Sequence, residues 1–386
     1  MFRRWLIVLA CSGLLVGGEG PPAITVGLIA EMSRPTSTSG QAIERGLRLA
    51  LARINAGGGV LGGRPLQLEV RDSRSIAARG VAELRDLAAR PDVVAVVGGK
   101  FSPVVLESLA ATHELGIPYL LPWSAADGVI DHAYRPSFTF RLSLRDSWAM
   151  PALMRRAAER GQRRVGLMLL ANAWGRSNLA AAEAAAREAG VTIVGAEYIP
   201  VGASDLLPAW GRLVAAGADS VVTALNEGEA APLVRQLATI PAADRRPLLC
   251  HWGVTGGDFA ALCGTALGTV DLAVVQTFLF AEARGALAGL VAADLAAAGV
   301  ADPARLPSGV GLAHAWDLAH LLAQAITAAG STDRARVRDA LENLGPWEGL
   351  VRTYERPFAP DRHEALSPEQ VVIARFTADG RLVPDR

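Results

Sequence analysis

Short runs that are apolar at every position alternate along this chain with longer stretches that are apolar on one side only. Residues 24–30 (ITVGLIA), 93–97 (VVAVV) and 117–121 (IPYLL) are of the first kind; residues 41–55 are of the second, with Ile43, Leu47, Ala50, Leu51 and Ile54 on one helical face. Continuous β-branched and aliphatic positions suit strands buried on both faces of a parallel sheet, and the one-sided spacing suits helices that cover it. The same reading gives strands at 66–71 and 138–141 and helices at 77–89 and 103–115. The rhythm then restarts, with helices predicted at 148–160, 178–189, 206–216, 230–239 and 258–263, and strands at 165–170, 192–198, 220–224, 247–250 and 269–276. Alternation of strand and helix predicts the α/β class, as two doubly wound parallel-sheet lobes.

The last part of the chain has a different pattern. Helices at 285–298, 309–329 and 333–344 follow one another without strands, and strands near 350–354 and 370–377 close the chain as a pair. Helices with no sheet of their own must cover an existing one, so the chain passes between lobes more than once and the hinge has several strands. The expected boundaries are 21–142 with 278–345 for the first lobe and 143–277 with 346–386 for the second. Residues 1–20 combine a basic start (Arg3, Arg4), an apolar run and a small-residue end, which predicts a secretory signal too short to span a bilayer. Val8-Leu9-Ala10-Cys11 resembles a lipoprotein-processing box, which leaves a lipid anchor at Cys11 open.

One pattern occurs twice between residues 93 and 128. A buried run ends at Gly98-Gly99, with Ser102 at an N-cap position and Pro103 at the first helical position; a second run ends in Pro122-Trp123-Ser124-Ala125. Two neighbouring parallel strands would bring both loops to one sheet edge, where backbone N–H groups and hydroxyls can hold a small anion or carboxylate. Ser102 has a purely structural alternative, as the helix cap.

Composition narrows the function. Lys+Arg and Asp+Glu are both 38, so there is no basic field for nucleic acid. G-x-S-x-G, Walker A and H-E-x-x-H are absent and the histidines lack ligand spacing, which argues against an enzyme, a cofactor or a metal site. Residues 57–63 match G-x-G-x-x-G, but a helix precedes and a strand follows, the reverse of the dinucleotide-binding order. Beyond Cys11 only Cys250 and Cys263 remain, either bridged or two small buried residues.

The opening GLIAEMSRPTSTSGQAIERGLRLALARINAGGGVLGGRPLQLEVRDS resembles the leucine/isoleucine/valine-binding protein family, the type I periplasmic solute-binding proteins of ABC importers. The glycine-rich turn after Asn55 and the strand ending at Asp72 carry the likeness, which continues through VVGGKFSPVV, ELGIPYLLPWSA and VVIARFTADGRL over nearly all of the mature chain. The resemblance implies a periplasmic, monomeric clamshell with three hinge crossings. It would trap a small ligand between closing lobes and deliver it to a membrane permease. A ligand-sensing receptor that reports to a signalling partner has the same binding physics and stands as the alternative.

By position in that family, Ser102, Ser124 and Ala125 would hold a ligand carboxylate, with Trp123 beside them. From the other lobe come Trp174, in an Asn-Ala-Trp-Gly stretch that reads as an exposed loop, and Asn226, where the family often has tyrosine. Trp252 stands where many amino-acid binders place the acid that neutralises an ammonium group. Glu227 and Glu229 are near enough in sequence to supply that acid instead. Three tryptophans without an obvious acid suit a small carboxylate or amide with an apolar or aromatic body better than a branched-chain amino acid. His251 reads as a structural or exposed residue rather than a ligand, and Glu31 and Ser33 as rim or ligand contacts.

Overall fold

The computed structural model describes residues 21–33 and 37–385. The predicted signal segment, with Cys11, lies outside the described residues. The first sheet has five parallel strands, β1 (Ile24–Ala30), β2 (Leu66–Asp72), β3 (Val93–Gly98), β4 (Tyr119–Leu121) and β5 (Thr139–Arg141), in the order β2-β1-β3-β4-β5. The second has seven: β6 (Arg164–Leu170), β7 (Thr192–Ile199), β8 (Ser220–Ala224), β9 (Leu248–Cys250) and β10 (Leu272–Gln276), then β13 (Val372–Phe376) and β14 (Leu382–Pro384). The first five of these run parallel and the last two antiparallel. β11 (Trp347–Glu348) and β12 (Thr353–Tyr354) form a separate small hairpin. The expected pairing of 350–354 with 370–377 therefore does not form: β12 returns on β11, while β13 lies between β10 and β14.

Helices α1 (Thr38–Ala56), α2 (Ala77–Ala88) and α3 (Ser102–Glu114) cover the first sheet, and α4 (Asp146–Glu159), α5 (Ala173–Ala189), α6 (Leu207–Ala215), α7 (Glu227–Thr239) and the short α8 (Phe259–Cys263) accompany the second. α9 (Gly285–Ala297), α10 (Gly309–Ala329) and α11 (Arg334–Leu341) follow without strands and return to the first lobe. α10 lies against α1 so closely that a Cβ on Gly46 would stand 2.3 Å from the Leu312 carbonyl oxygen. Backbones can meet at that distance only across a glycine. Cys250 and Cys263 are free and buried, and burial pushes both thiols up to about 12.

Residues 347–365, expected in the second lobe, are fastened to the first. Asp317 of α10 accepts hydrogen bonds from the Leu350 and Val351 N–H groups at 2.7 and 2.9 Å and from the Tyr354 hydroxyl at 2.7 Å. Arg141 of β5 is fully buried and donates to Glu364 at 2.9 Å, while the His363 ring stacks on Phe140 with centroids 4.1 Å apart. This segment is short, rich in Pro and Arg, and held by individual polar contacts rather than by a periodic face, so hydrophobic patterning does not reveal its side. The chain changes lobes between β5 and α4, between β10 and α9, and between residue 365 and β13.

Candidate functional site

β3 and β4 are adjacent and parallel, and their carboxyl ends deliver the two loops that the sequence pointed to. Within them the hydroxyls are used to join loop to loop. Ser124 Oγ donates to the Gly99 carbonyl at 3.0 Å, and the Ala126 N–H donates to Ser102 Oγ at 3.3 Å. The buried Arg141 guanidinium donates to the Ala126 carbonyl at 2.9 Å and fixes the second loop from behind. α3 begins at Ser102 itself, with Phe101 as its flanking residue and no capping side chain. Ser102 is thus one position past the expected cap, inside the first turn, and its hydroxyl serves as a bridge to Ala126 instead.

A cavity of about 20 Å³, room for one or two waters, lies between the lobes. Ser102, Trp123 and Ala125 border it from the first lobe, and Trp174, Asn226 and Trp252 border it from the second. Ser124 is fully buried behind this surface and does not border the cavity. A second cavity of about 40 Å³ lies nearer the hinge, beside Gln276, Phe278 and Ser308. The first one is where the carboxyl-end loops of both sheets converge, the usual place for a ligand in open α/β sheets.

Each tryptophan has a local cause for its position. A Cβ on Gly311 of α10 would stand 2.4 Å from the Trp123 ring, so only glycine there leaves room for the indole. Trp252 meets Trp123 across the interface with ring centroids 5.2 Å apart. Trp174 is 7% exposed, in the first turn of α5 rather than in an open loop. Asn172 caps that helix by accepting the Gly175 N–H at 3.0 Å, and a Cβ on Gly175 would come within 1.8 Å of the Leu170 carbonyl oxygen. Gly175 is therefore a close-packing glycine, and its loop-like appearance in sequence is misleading. The Trp174 indole N–H donates to Asp146 Oδ1 at 3.0 Å. His251, fully buried, stands edge-on to Trp174, and its Nε2 lies 3.1 Å from the same carboxylate oxygen but off the hydrogen-bonding direction.

Sequence reasoning missed one residue that borders this cavity. Lys100, just after β3, donates from Nζ to both carboxylate oxygens of Glu227 at the start of α7, at 3.0 and 2.8 Å. Lys100 also borders the cavity, with its ammonium 5.1 Å from the centroid of the Phe101 ring. The signal was available: Lys100 is the only lysine in a chain that otherwise uses arginine for every basic side chain. Two further acids share this region. Burial pushes the Glu31 carboxyl up against the opposing pull of Lys100 and Ser39, and it pushes Glu229 up against the Gly202 N–H. Glu31, expected to touch the ligand or line the rim, is buried behind Gly99; Ser33 is exposed.

A family model described as periplasmic binding protein matches residues 23–381. The Leu/Ile/Val-binding protein homolog 7 of Brucella melitensis is 25% identical over 242 residues, so the alignment spans 61% of this chain and 60% of that relative's length. Among solved structures, a type 1 periplasmic binding protein from Bordetella pertussis Tohama I superposes with a TM-score of 0.84 at 22% identity, over 94% of this chain and 100% of that one. A solute-binding protein of an R. palustris ABC transporter, solved in complex with benzoate, gives 0.78 at 19% identity over 94% and 95%. With its two α/β lobes, three crossings and interlobe cavity, the chain belongs to the periplasmic binding protein family and has the type I fold.

Proposed function

We propose that this protein is the exported solute-binding component of an ABC importer, taking a small ligand with a carboxylate or amide head and an apolar, aromatic body between its lobes for delivery to a membrane permease. The observation that carries this reading is the set of residues around one interlobe cavity: Ser102 and Ala125 on one side, Trp174, Asn226 and Trp252 on the other. The benzoate complex of the R. palustris structure supports an aromatic acid, and the name of the Brucella relative keeps branched-chain amino acids in the comparison. Trp123 and Trp252 are 5.2 Å apart, whereas two van der Waals contacts with an intervening planar ring need about 7–8 Å. A ring enters between them when the lobes part by about 2–3 Å.

Titration calorimetry against benzoate-like acids, aliphatic acids, amides and leucine tests this. At least one aromatic acid is expected to bind with Kd near or below about 1 μM, and Ser102→Ala and Trp174→Ala are each expected to weaken it about tenfold or more. Unchanged affinity in both variants would place the site elsewhere.

A further inference from the structure

The only ion pair of the cleft in which a lysine meets an acid is built from the chain's single lysine, and it joins the two lobes. Lys100 belongs to the first sheet's edge loop and Glu227 to the first turn of α7; they are 4% and 3% exposed. Two glycines of the second lobe close over the pair. A Cβ on Gly256 would stand 2.4 Å from Lys100 Nζ and 2.9 Å from Glu227 Oε2, and one on Gly257 would stand 2.5 Å from Glu227 Cγ. Neither glycine has a positive φ, so both are there for space and not for backbone conformation. A compact ammonium fits this slot with both oxygens in reach, whereas a planar guanidinium needs a wider one. When the lobes part, both charges regain water; when they close, each is the other's hydrogen-bonded partner, with Glu31 also in reach of the Lys100 charge.

We propose that Lys100 and Glu227 form a charge latch that closes the lobes in place of a ligand ammonium group, and that they thereby set the ligand class of the cleft. An α-amino acid entering this site meets Glu227 already paired and Lys100 repelling its ammonium. An aromatic acid or amide meets neither conflict. The specificity half of this proposal rests on the cavity being the ligand site; the latch half does not.

Because Lys100 is the only lysine, its acylation by a succinimidyl ester, followed by peptide mass spectrometry, reports opening at a single side chain. In the full chain, refolded without ligand, Lys100 is expected to react at least about tenfold more slowly in wild type than in Glu227→Gln. Equal rates in two folded proteins overturn the latch. Should Glu227→Gln fail to fold, Lys100→Met/Glu227→Gln, which leaves neither member of the pair as a lone charge, replaces it with radius of gyration from X-ray scattering as the readout. A larger radius than wild type supports the latch, and an equal radius overturns it. Calorimetry with benzoate and L-leucine then tests selection. Lys100→Met, which frees Glu227, is expected to bind leucine at least about tenfold more tightly than wild type. Equal leucine affinity in the two overturns the selection. If neither compound binds any variant, the ligand-site reading and the selection fall together, while the labelling ratio still decides the latch.

Discussion

The Asp146 carboxylate oxygen that receives the Trp174 indole N–H also lies 3.1 Å from His251 Nε2, and His251 precedes Trp252 in the chain. This acceptor at the start of α4 orients the Trp174 ring directly through the indole hydrogen bond, while His251 only packs beside it. Asp146→Ala leaves the indole N–H without an acceptor in a buried place, which costs about 1–3 kcal/mol. Urea denaturation is expected to show that loss, and titration of any aromatic acid that binds wild type is expected to show weaker binding. The loss of affinity arises because Trp174 no longer has a fixed ring plane. Unchanged affinity with a lowered denaturation midpoint would separate folding from positioning and make Asp146 structural only.

Among the elements, the hairpin of β11 and β12 depends most on a single side chain. Its Leu350, Val351 and Tyr354 donors all end on Asp317, deep in α10. Asp317→Ala strands three donors at once, those of Leu350 and Tyr354 buried and that of Val351 partly so, and the expected destabilisation is about 3 kcal/mol or more, read by chemical denaturation. Hydrogen exchange at Leu350 and Val351 is expected to rise most. The same hairpin shows where sequence patterning stops being informative. The strands and helices of both sheets were legible because their apolar positions repeat with the period of the element, and β3, β4 and the loops after them fell where the pattern put them. Residues 347–365 have no such period. Asp317, Arg141 and Glu342 hold them by polar contacts to partners far away in sequence. The start of α5 was hidden for another reason: Gly175 looks like a loop residue when its role is to let the helix approach Leu170. The Lys100–Glu227 pair spans 127 positions, so no local pattern links its partners, and only the singularity of the lysine marks it.

For the molecule as a whole, acid is expected to act near the hinge. His314 of α10 is fully buried; its Nδ1 donates to the Pro122 carbonyl at 2.8 Å, so Nε2 accepts from the Thr277 hydroxyl, 3.1 Å away at the second crossing. Burial lowers this imidazole to about 4, and burial also lowers His132 to about 4. Between pH 6.5 and 4 the unfolded chain takes up protons at these sites that the folded chain refuses. Their stabilising contribution is thus present above pH 6.5 and is lost as pH falls towards 4, by up to about 3 kcal/mol for His314. Asp317 of the same helix, pushed up to about 7 by burial, has the opposite sign, because there the folded chain takes up a proton that the unfolded chain refuses. A calorimetric melting series on wild type and variant therefore reads the difference, and His314→Gln is expected to lose less stability than wild type as pH falls from 6.5 to 4. An equal slope in the variant would assign the acid sensitivity to other groups.

The three crossings have a further consequence, for the order in which the molecule can be assembled. The first sheet begins with residue 24, yet it is covered by α10 and has Arg141 neutralised by Glu364; the second sheet gains its last two strands from 372–376 and 382–384. Neither lobe is complete until almost the whole chain is present. A chain emerging end first, from a ribosome or through a membrane pore, cannot finish one lobe and then begin the other, as a string of separate domains does. Both are sealed by the same closing segment, so the unfinished chain stays unsealed, and threadable, until its last residues arrive.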